Sequence, residues 1–409
     1  MAVGSNASLS ARDIGQLSLR DLRGLPTAIA FLVLSTVGYL VVRHLTHPSS
    51  IDLLVYRIEG GAIRSGLDLY GPLSTPQDLS ATYPPFAALV FVLLTLVPLA
   101  LLPLAMVALN IALLVTVAYL SFGLAGLGKG EARVTCALWL AGLAVWSEPV
   151  FTTLRYGQIN LLILAMILWD FSRPDSARTR GMALGFAVGL KITPGIFILY
   201  LVLTRRFRMA AVAIAAFVTS VIAGALVVPG DSKRYWTSLI FDSDRVGRPE
   251  NAANQSVRAI VVRLEHTRDI APAWTLLLVL TLLAGLICSV LAYQAIGDSW
   301  GVPACAVTGL LASPVTWTHH WVWCVPLMAL LYVQTRRWLW TTIIFWSFAV
   351  WAVPHTYPAE LHFSLVQSAL SVWYVLFGLG FLALTAWQVY VTRSRNTAGF
   401  PAPMESPVR

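Results

Sequence analysis

The segment 48-PSSIDLLVYRIEGGAIRSGLDLY-70 decides how the chain is organised, because it is the first long polar stretch after an apolar entry helix. An apolar run from about Pro26 to Val42 precedes it, and Arg20 and Arg23 stand on the N-terminal side of that run. Positive charge marks the cytoplasmic end of a membrane helix, so we expect the segment to lie on the outer side.

The same segment has the period of an amphipathic helix. Asp52, Tyr56 and Glu59 share one face, and the neighbouring stripe is apolar, with Ile51, Leu54, Val55, Ile58 and Ala62. We predict a short helix on the outer leaflet, with the apolar stripe in lipid and the acidic edge pointing sideways. Pro48 and Ser49 would begin it, and Gly60-Gly61 would weaken its end.

Apolar runs of about 15–25 residues recur outward from this segment along the whole chain, which predicts an all-α polytopic membrane protein. Of 409 residues, 57% are hydrophobic and 11% charged, whereas soluble proteins carry about a quarter charged residues. Both ends are predicted to be cytoplasmic, which requires an even number of crossings. We expect about 12 transmembrane or re-entrant helices, with amphipathic helices in the outer loops.

The formal net charge of +9 could suggest a nucleic-acid partner. The arginines instead cluster beside apolar runs, as at Arg205, Arg206 and Arg208, so the charge reports membrane orientation and no nucleic acid is expected. The four cysteines, which predict no disulfide framework, all fall inside apolar segments: Cys136, Cys288, Cys305 and Cys324.

The chain divides into three parts by composition. Residues 1–24 form a polar cytoplasmic tail, 25–392 a membrane domain, and 393–409 a basic cytoplasmic tail. The first apolar run ends in VVRHLTH rather than in small residues, which predicts an uncleaved signal anchor in a multi-pass protein of the cell membrane.

Asp52 is the candidate catalytic residue. It stands three residues after Ser49, as in a capping box, and an acid in the first turn also favours the helix dipole. The functional alternative is a general base at the membrane surface, which takes a proton from an acceptor hydroxyl. Arg57 and Glu59 are neighbouring charges, and either could be the important one instead.

Lys191 and a histidine pair are candidate anion-binding residues. Lys191 lies in 189-GLKITPGIF-197 between two apolar half-helices, and a charge at membrane depth is tolerated only where it lines a cavity. It either snorkels to an interface or pairs with an anion, and we favour the anion. His319 and His320 point about 100° apart on a helix, so joint chelation of a metal is not expected. They are either interfacial anchors or contacts to a phosphate or sugar.

Several polar and aromatic residues could contact a sugar. Gln158 and Asn160 in 155-RYGQIN-160 offer amide groups, with helix capping as the alternative. The same choice applies to Asn254 and Arg258 of the second outer loop. Tyr83 precedes Pro84-Pro85 at a membrane entry point, and Trp317 stands beside the histidines. No phosphate-binding glycine loop or metal-ligand spacing appears, so neither a cofactor nor a metal is expected.

Most of these motifs are placed on the outer side by this topology, which points to a membrane-embedded enzyme with a lipid-borne substrate. Taken in order, they resemble the GT-C glycosyltransferases of family 87, the polyprenol-phosphate-mannose-dependent α-1,2-mannosyltransferases of actinobacteria. The motifs that carry the resemblance are YPPFAAL at 83–89, YGQINLLI at 156–163, GLKITPGIF at 189–197, NQSVRA at 254–259 and SPVTWTHHWVW at 313–323.

The resemblance implies a GT-C membrane fold with its active site on the outer face. It implies a polyprenyl-phosphate-mannose donor, and a glycolipid acceptor such as a phosphatidylinositol mannoside or lipomannan, both held among membrane lipids. Asp52 matches the family's catalytic acid in the first outer loop, and His320 its histidine near the donor phosphate, with His319 beside it. The implied reaction is inverting, with His320, Lys191 and Arg258 as cationic neighbours of the leaving phosphate. Tyr56 and Glu59 would either bind the sugar or hold the helix.

Two other functions stay open on the sequence. An arabinofuranosyltransferase that uses polyprenyl-phospho-arabinose would carry the same motifs. A flippase or transporter of lipid-linked sugars would explain the hydrophobicity and Lys191, but not the placement of the motifs on one face.

Overall fold

The computed structural model describes residues 24–48, 50–73, 75, 79–335 and 339–397, and this part of the chain is helical without a strand. The helices, in chain order, are α1 (Leu25–Thr46), α2 (Ile51–Ser65), α3 (Pro85–Phe91), α4 (Leu102–Leu124), α5 (Glu131–Ala144), α6 (Glu148–Tyr156), α7 (Asn160–Ser172), α8 (Met182–Leu190), α9 (Ile196–Leu203), α10 (Phe207–Val227), α11 (Pro229–Thr237), α12 (Val257–Leu264), α13 (Ala271–Ala295), α14 (Asp298–Ala312), α15 (Cys324–Gln334), α16 (Leu339–Trp346), α17 (Leu365–Ser371) and α18 (Trp373–Thr397).

Short 3-10 segments complete the described structure. They are Val92–Leu96, Thr193–Gly195, Leu239–Phe241, Ser243–Val246, Thr318–Trp323, Ala349–Ala352 and Ala359–Leu361. Two of them interrupt apolar runs at the positions of sequence motifs. The prediction of an all-α polytopic membrane protein is confirmed.

Among the described residues, five helices are long and apolar enough to cross a membrane: α1, α4, α10, α13 and α18. A sixth crossing is possible where α5 and α6 follow one another with a bend of 74°. The remaining apolar helices of 10–17 residues are shorter and include Asn160–Ser172 and Thr193–Leu203. The count of about 12 transmembrane or re-entrant helices stays a prediction.

The KITP segment separates two short apolar helices, as predicted. Helix α8 ends at Leu190, Lys191 is extended (φ −153°, ψ 129°), and a 3-10 turn over Thr193–Gly195 leads into α9. Pro194 has no backbone N–H to donate to the carbonyl of Leu190, so a continuous helix through this segment would lose that hydrogen bond. The break therefore leaves Lys191 pointing away from a regular helix, where it can face a cavity.

Helix α2 forms as predicted, but its surroundings differ from the expectation of a stripe in lipid. Val55 and Ala62 are buried, because α3 and the 3-10 segment after it pack against this helix. Gly60 does not end the helix, which runs on to Ser65. A Cβ at Gly60 would stand 2.4 Å from the carbonyl oxygen of Phe91, so glycine is needed for this close approach.

Some sequence predictions concern residues outside the described ones. Ser49, the predicted capping partner of Asp52, is one of them, and Ser50 occupies the N-cap position of α2 without a side-chain capping hydrogen bond. Most of the N-terminal tail (1–24) and the end of the C-terminal tail (393–409) also lie outside the described residues. Helix α18 continues past the predicted domain boundary to Thr397.

Candidate active site

Four chain segments meet around Asp52. Helix α2 carries Asp52, the turn between α6 and α7 carries Gln158 and Asn160, the break after α8 carries Lys191, and the 3-10 segment Thr318–Trp323 carries His320. Hydrogen bonds connect neighbouring segments, so residues that are far apart in the sequence form one polar cluster. All of these side chains were predicted site residues.

The turn between α6 and α7 lies directly against α2. Gly157 ends α6 with a positive φ of 72°, and a Cβ there would stand 2.7 Å from the Cβ of Leu53. Glycine is therefore required both by the backbone conformation and by the contact. This turn brings Gln158 to Asp52, and neither Gln158 nor Asn160 acts as the side-chain cap of α7.

Gln158 connects the carboxyl group to two tyrosines. Its Nε2 donates to Oδ2 of Asp52 at 2.7 Å, and its Oε1 accepts from the hydroxyl of Tyr56 at 2.7 Å. Tyr83 donates to the same Oε1 at 3.3 Å, and the two hydroxyl oxygens are 2.8 Å apart. Because the amide donates with one end and accepts with the other, the network fixes the orientation of the Asp52 carboxyl.

The pKa of Asp52 is raised to about 6. Burial is the largest cause, and the hydrogen bond from Gln158 and the charge of Lys191 oppose it. A carboxyl with a pKa near 6 is ionised at neutral pH and more basic than an ordinary aspartate. This places Asp52 in the range suited to a general base.

Lys191 and His320 face each other on the other side of the cluster. The Nζ of Lys191 is 2.8 Å from Nε2 of His320 and 3.3 Å from Oδ1 of Asn160. Asn160 donates in turn to the carbonyl of His319 at 3.0 Å, which orients its amide oxygen toward the lysine. The Nζ also lies 5.5 Å from the centre of the Tyr83 ring, so Tyr83 borders both halves of the cluster.

The backbone fixes which nitrogen of His320 carries the proton. The N–H of Trp317 donates to Nδ1 of His320 at 3.2 Å, so in the neutral ring the proton is on Nε2. The 2.8 Å between Nε2 and Nζ fits a hydrogen bond from His320 to a neutral Lys191, whereas a protonated Lys191 makes both groups donors that need an acceptor beside them. An anionic oxygen can accept from both, so the pair is built to hold an anion such as a phosphate.

An apolar cleft leads away from this pair of donors. At its polar end it is lined by Asn160, Lys191, His320, Ser313 and Thr316. Its walls come from α7, α9 and α14 with neighbouring turns: Ile163, Leu164, Ile167, Thr193, Pro194, Ile196, Phe197, Ala306, Gly309, Leu310, Val322 and Trp323. The cleft has a volume of about 60 Å³, which offers room for a phosphate group and the first atoms of an attached hydrocarbon chain.

His319 makes a different contribution from His320. Its backbone carbonyl accepts from Asn160 and, at 3.4 Å, from Thr153, which anchors the histidine turn to α6 and α7. Its ring stands edge-on to Tyr156 with 5.8 Å between ring centres, and its Nε2 is buried without a hydrogen-bond partner. The described contacts of His319 hold the histidine turn in position, and they leave its Nε2 without a hydrogen bond.

Glu59 lies one helical turn beyond Tyr56 and is buried, with 1% of its surface exposed. Burial raises its pKa to about 8, opposed by the charge of Arg245 and reinforced by that of Asp52. Its Oε1 has no hydrogen-bond partner. A carboxyl with this pKa is mostly protonated at neutral pH, so Glu59 does not compete with Asp52 as the ionised base.

Asn254 and Trp317 are placed in the support of the histidine turn. Asn254 is fully buried, its Oδ1 accepts from the N–H of Thr316 at 2.9 Å, and its Nδ2 donates to the carbonyl of Pro249 at 3.2 Å. The Trp317 ring covers Gly247. These contacts join the loop before α12 to the histidine turn, and none of them reaches Asp52 or Lys191.

The contacts of Arg258 do not include Lys191 or His320, the hydrogen-bond donors of the site. It forms an ion pair with Asp244 at 2.9 Å and a hydrogen bond to Ser243 at 2.8 Å. Its Nε is buried without a partner. A role of Arg258 at the leaving phosphate stays a prediction that these contacts do not favour.

Sequence reasoning passed over three residues that support the site. Asn110 of α4 donates to the backbone carbonyl of Gln158 at 3.3 Å, and a lone amide in an otherwise apolar helix was the available signal. Arg245 acts electrostatically on Glu59. Glu148 accepts three hydrogen bonds at the start of α6. Among the described residues, no group of three or more metal-ligating side chains is found.

Known proteins are similar to this chain in sequence. The sequence model described as glycosyltransferase family 87 matches residues 81–314. A polyprenol-phosphate-mannose-dependent α-(1-2)-phosphatidylinositol pentamannoside mannosyltransferase of Mycobacterium tuberculosis is 33% identical over 417 aligned positions, which cover 99% of this chain and 93% of the relative. Its counterpart of the same description in Mycolicibacterium smegmatis is 36% identical over 291 positions, 68% of each chain.

A third relative, from M. tuberculosis, is described as a polyprenol-phosphate-mannose-dependent α-(1-2)-phosphatidylinositol mannoside mannosyltransferase. It is 31% identical over 320 positions, 74% of each chain. No solved structure matches this chain.

The fold and the comparisons define a membrane-embedded sugar-transferring enzyme. The chain belongs to glycosyltransferase family 87. The family resemblance of the sequence motifs is confirmed.

Proposed function

We propose that this enzyme transfers mannose from polyprenyl-phosphate-mannose to a phosphatidylinositol mannoside, forming an α-(1→2) bond on the extracytoplasmic face of the cell membrane. The observation that carries the proposal is the position of one ionisable carboxyl group, that of Asp52, next to two side chains that can donate hydrogen bonds to a phosphate, Lys191 and His320. The descriptions of the mycobacterial relatives supply the donor and the acceptor class.

Asp52 is the base in this proposal. Its carboxylate takes the proton of the acceptor hydroxyl while the hydroxyl oxygen attacks the anomeric carbon of the mannose. The new carbon–oxygen bond forms as the bond to the phosphate oxygen breaks, and the sugar carbon inverts. Gln158 holds the carboxylate in the direction of attack through its 2.7 Å hydrogen bond.

Lys191 and His320 stabilise the phosphate as it leaves. The bond-breaking electron pair moves onto the phosphate oxygen, so negative charge grows there in the transition state. The two facing donors supply hydrogen bonds at that position, with Asn160 holding the lysine. The apolar walls of the cleft beside them would contact the first atoms of the hydrocarbon chain, whose binding keeps the sugar at the membrane boundary.

A donor-by-acceptor assay with the purified full-length protein in detergent tests the proposal. Labelled mannosyl and arabinofuranosyl polyprenyl phosphates are each offered with phosphatidylinositol mannosides of increasing length, and the label on the acceptor lipid is measured. We expect label from the mannose donor alone, and none with Asp52→Asn. Because detergent removes compartments, a transporter would give no labelled lipid. Label from the arabinose donor alone would overturn the proposed donor.

The side of the membrane requires a separate measurement. Single cysteines are introduced one at a time at Arg155, on α6 next to the candidate site, and at the exposed Arg208, at the start of α10. In intact cells, we expect a membrane-impermeant thiol reagent to label position 155 and not position 208. The opposite pattern would place the site in the cytoplasm.

A further inference from the structure

A groove lies on the outward side of α2, away from the candidate active site. It has a volume of about 610 Å³ and runs between this helix and the loop that follows α3. Its lining combines two arginines with apolar and hydroxyl side chains: Leu54, Arg57, Ile58, Gly61, Arg64, Thr75, Thr95 and Leu99.

The two arginines are held in place by neutral oxygen atoms. The Nη1 of Arg57 donates to the backbone carbonyls of Leu94 and Val97, the latter at 2.7 Å. The Nη1 of Arg64 donates to the hydroxyl of Thr95 at 2.8 Å. Within the part of the chain that the structure describes, neither arginine has a carboxylate within ion-pair distance. The groove therefore carries two positive charges that the described residues do not balance.

Leucines beside the arginines are exposed to the surroundings of the protein. They belong to the loop that follows α3, which borders the groove opposite α2. All are more than half exposed: Leu93 at 62%, Leu96 at 67%, Leu99 at 55% and Leu101 at 58%. Exposed leucines next to fixed arginines are the pattern expected where a protein meets both the acyl chains and the headgroups of a bilayer.

The groove and the catalytic face are on different sides of the same helix. Arg57 is five residues after Asp52, which on an α-helix is a rotation of about 140°. Arg64 is seven residues after Arg57 and returns to nearly the same direction, about 20° away. A ligand that occupies both arginines therefore does not reach Asp52 along this face of α2.

We propose that this groove binds the phosphodiester headgroup of an anionic phospholipid from the surrounding leaflet. The guanidinium groups of Arg57 and Arg64 hold the phosphate, and an acyl chain lies along the exposed leucines of the neighbouring loop. A bilayer phospholipid is favoured over inorganic phosphate because half of the lining is apolar. It is favoured over the reacting glycolipid because the groove faces away from Asp52.

Native mass spectrometry of the purified full-length protein in detergent tests the proposal. Dioleoyl phosphatidylglycerol and dioleoyl phosphatidylcholine are titrated separately, and the lipid molecules retained by each protein molecule are counted. Wild type should retain the anionic lipid at least tenfold more strongly than the zwitterionic one. Arg64→Gln is the primary variant, because this arginine is exposed and makes a single hydrogen bond to Thr95.

Arg64→Gln should weaken retention of phosphatidylglycerol by about tenfold, which corresponds to about 1.4 kcal/mol. Arg208→Gln is the matched control, since it removes one exposed arginine at the start of an apolar helix and should retain the lipid as wild type does. Arg57→Gln gives a second measurement in case Arg64→Gln alters the helix, which size-exclusion elution would show.

Three outcomes would overturn the proposal. Equal retention of both lipids by wild type would mean that the groove does not select charge. Unchanged retention in Arg64→Gln and Arg57→Gln would place the lipid elsewhere. A phosphatidylinositol mannoside is titrated as a third lipid, and its retention without retention of phosphatidylglycerol would make the groove an acceptor site instead. None of these results depends on transfer activity, so a failed sugar-transfer assay leaves this measurement unaffected.

Discussion

Asp52 and Glu148 stand in similar local sequences but have different surroundings. Each is an acidic residue in the first turn of a helix whose N-cap position is occupied by a serine, Ser50 for Asp52 and Ser147 for Glu148. Glu148 is fully buried and accepts hydrogen bonds from Thr152 at 2.8 Å, Trp351 at 2.7 Å and Tyr374 at 2.6 Å. Asp52 is partly exposed and accepts one side-chain hydrogen bond, from Gln158. The number of partners therefore distinguishes a carboxyl group that ties helices together from one that can meet a substrate.

The largest effect on activity is expected for Asp52→Asn. An amide keeps the size of the side chain but cannot take the proton, so the transfer rate should fall by roughly 10³-fold, in the range found for general bases. Single-turnover rates of the purified variant measure this directly. The thermal unfolding midpoint should match that of wild type, and a rate close to wild type would exclude Asp52 as the base.

Lys191→Ala should have the next largest effect. It removes one of the two donors that face the leaving phosphate, so kcat/KM for the polyprenyl-phosphate donor should fall by roughly 10²-fold. Lys233→Ala is the control, because that lysine is exposed on α11. A loss shared equally by both variants would show that general positive charge, rather than this position, matters.

Gln158→Leu should reduce the rate at neutral pH by roughly tenfold, because the carboxyl loses its orienting hydrogen bond. In wild type the base works when ionised, so activity should fall as pH drops through the Asp52 pKa of about 6. Gln158 stabilises the ionised form, and its removal should shift this acid limb to higher pH. A pH–rate profile from pH 5 to 9 measures the shift. If the acid limb does not move, Gln158 does not influence the pKa of the catalytic base.

Glu148→Gln should have the smallest effect on activity and a clear effect on stability. An amide in place of the carboxylate leaves at least one of the three donors without an acceptor, which costs roughly 2 kcal/mol. The unfolding midpoint in detergent should fall by several degrees, while the rate per folded molecule should stay within about threefold of wild type. A rate loss as large as that of Asp52→Asn would remove the distinction between the two acids.

Much of the fold and part of the site were predictable from local patterns. The apolar runs predicted the membrane helices, and a lysine between two apolar halves predicted the break after α8. The hydrogen-bonded group Asp52, Gln158, Asn160, Lys191 and His320 consists entirely of predicted residues. Each of these is a polar residue next to an apolar run, where burial without a hydrogen-bond partner would cost free energy.

The remainder depends on partners far away in the sequence. The burial of Val55 and Ala62 comes from α3, and the role of Asn254 comes from Thr316, 62 positions later. Glu148 gains its structural role from Trp351 and Tyr374, more than 200 positions away. A sequence pattern shows that a side chain is polar, but it does not show whether another segment of the chain will form hydrogen bonds with it.

The facing pair Lys191 and His320 also has a consequence for the end of the catalytic cycle. The donor is a phosphodiester with one negative charge, whereas the released polyprenyl phosphate is a monoester that carries between one and a half and two charges at neutral pH, as phosphate groups on proteins do. The hydrogen-bond donors Lys191 and His320, which bind the singly charged diester, will bind the more negatively charged monoester more tightly. Release of the spent lipid, rather than sugar transfer, would then limit turnover, and polyprenyl phosphate should inhibit at concentrations below the KM of the donor.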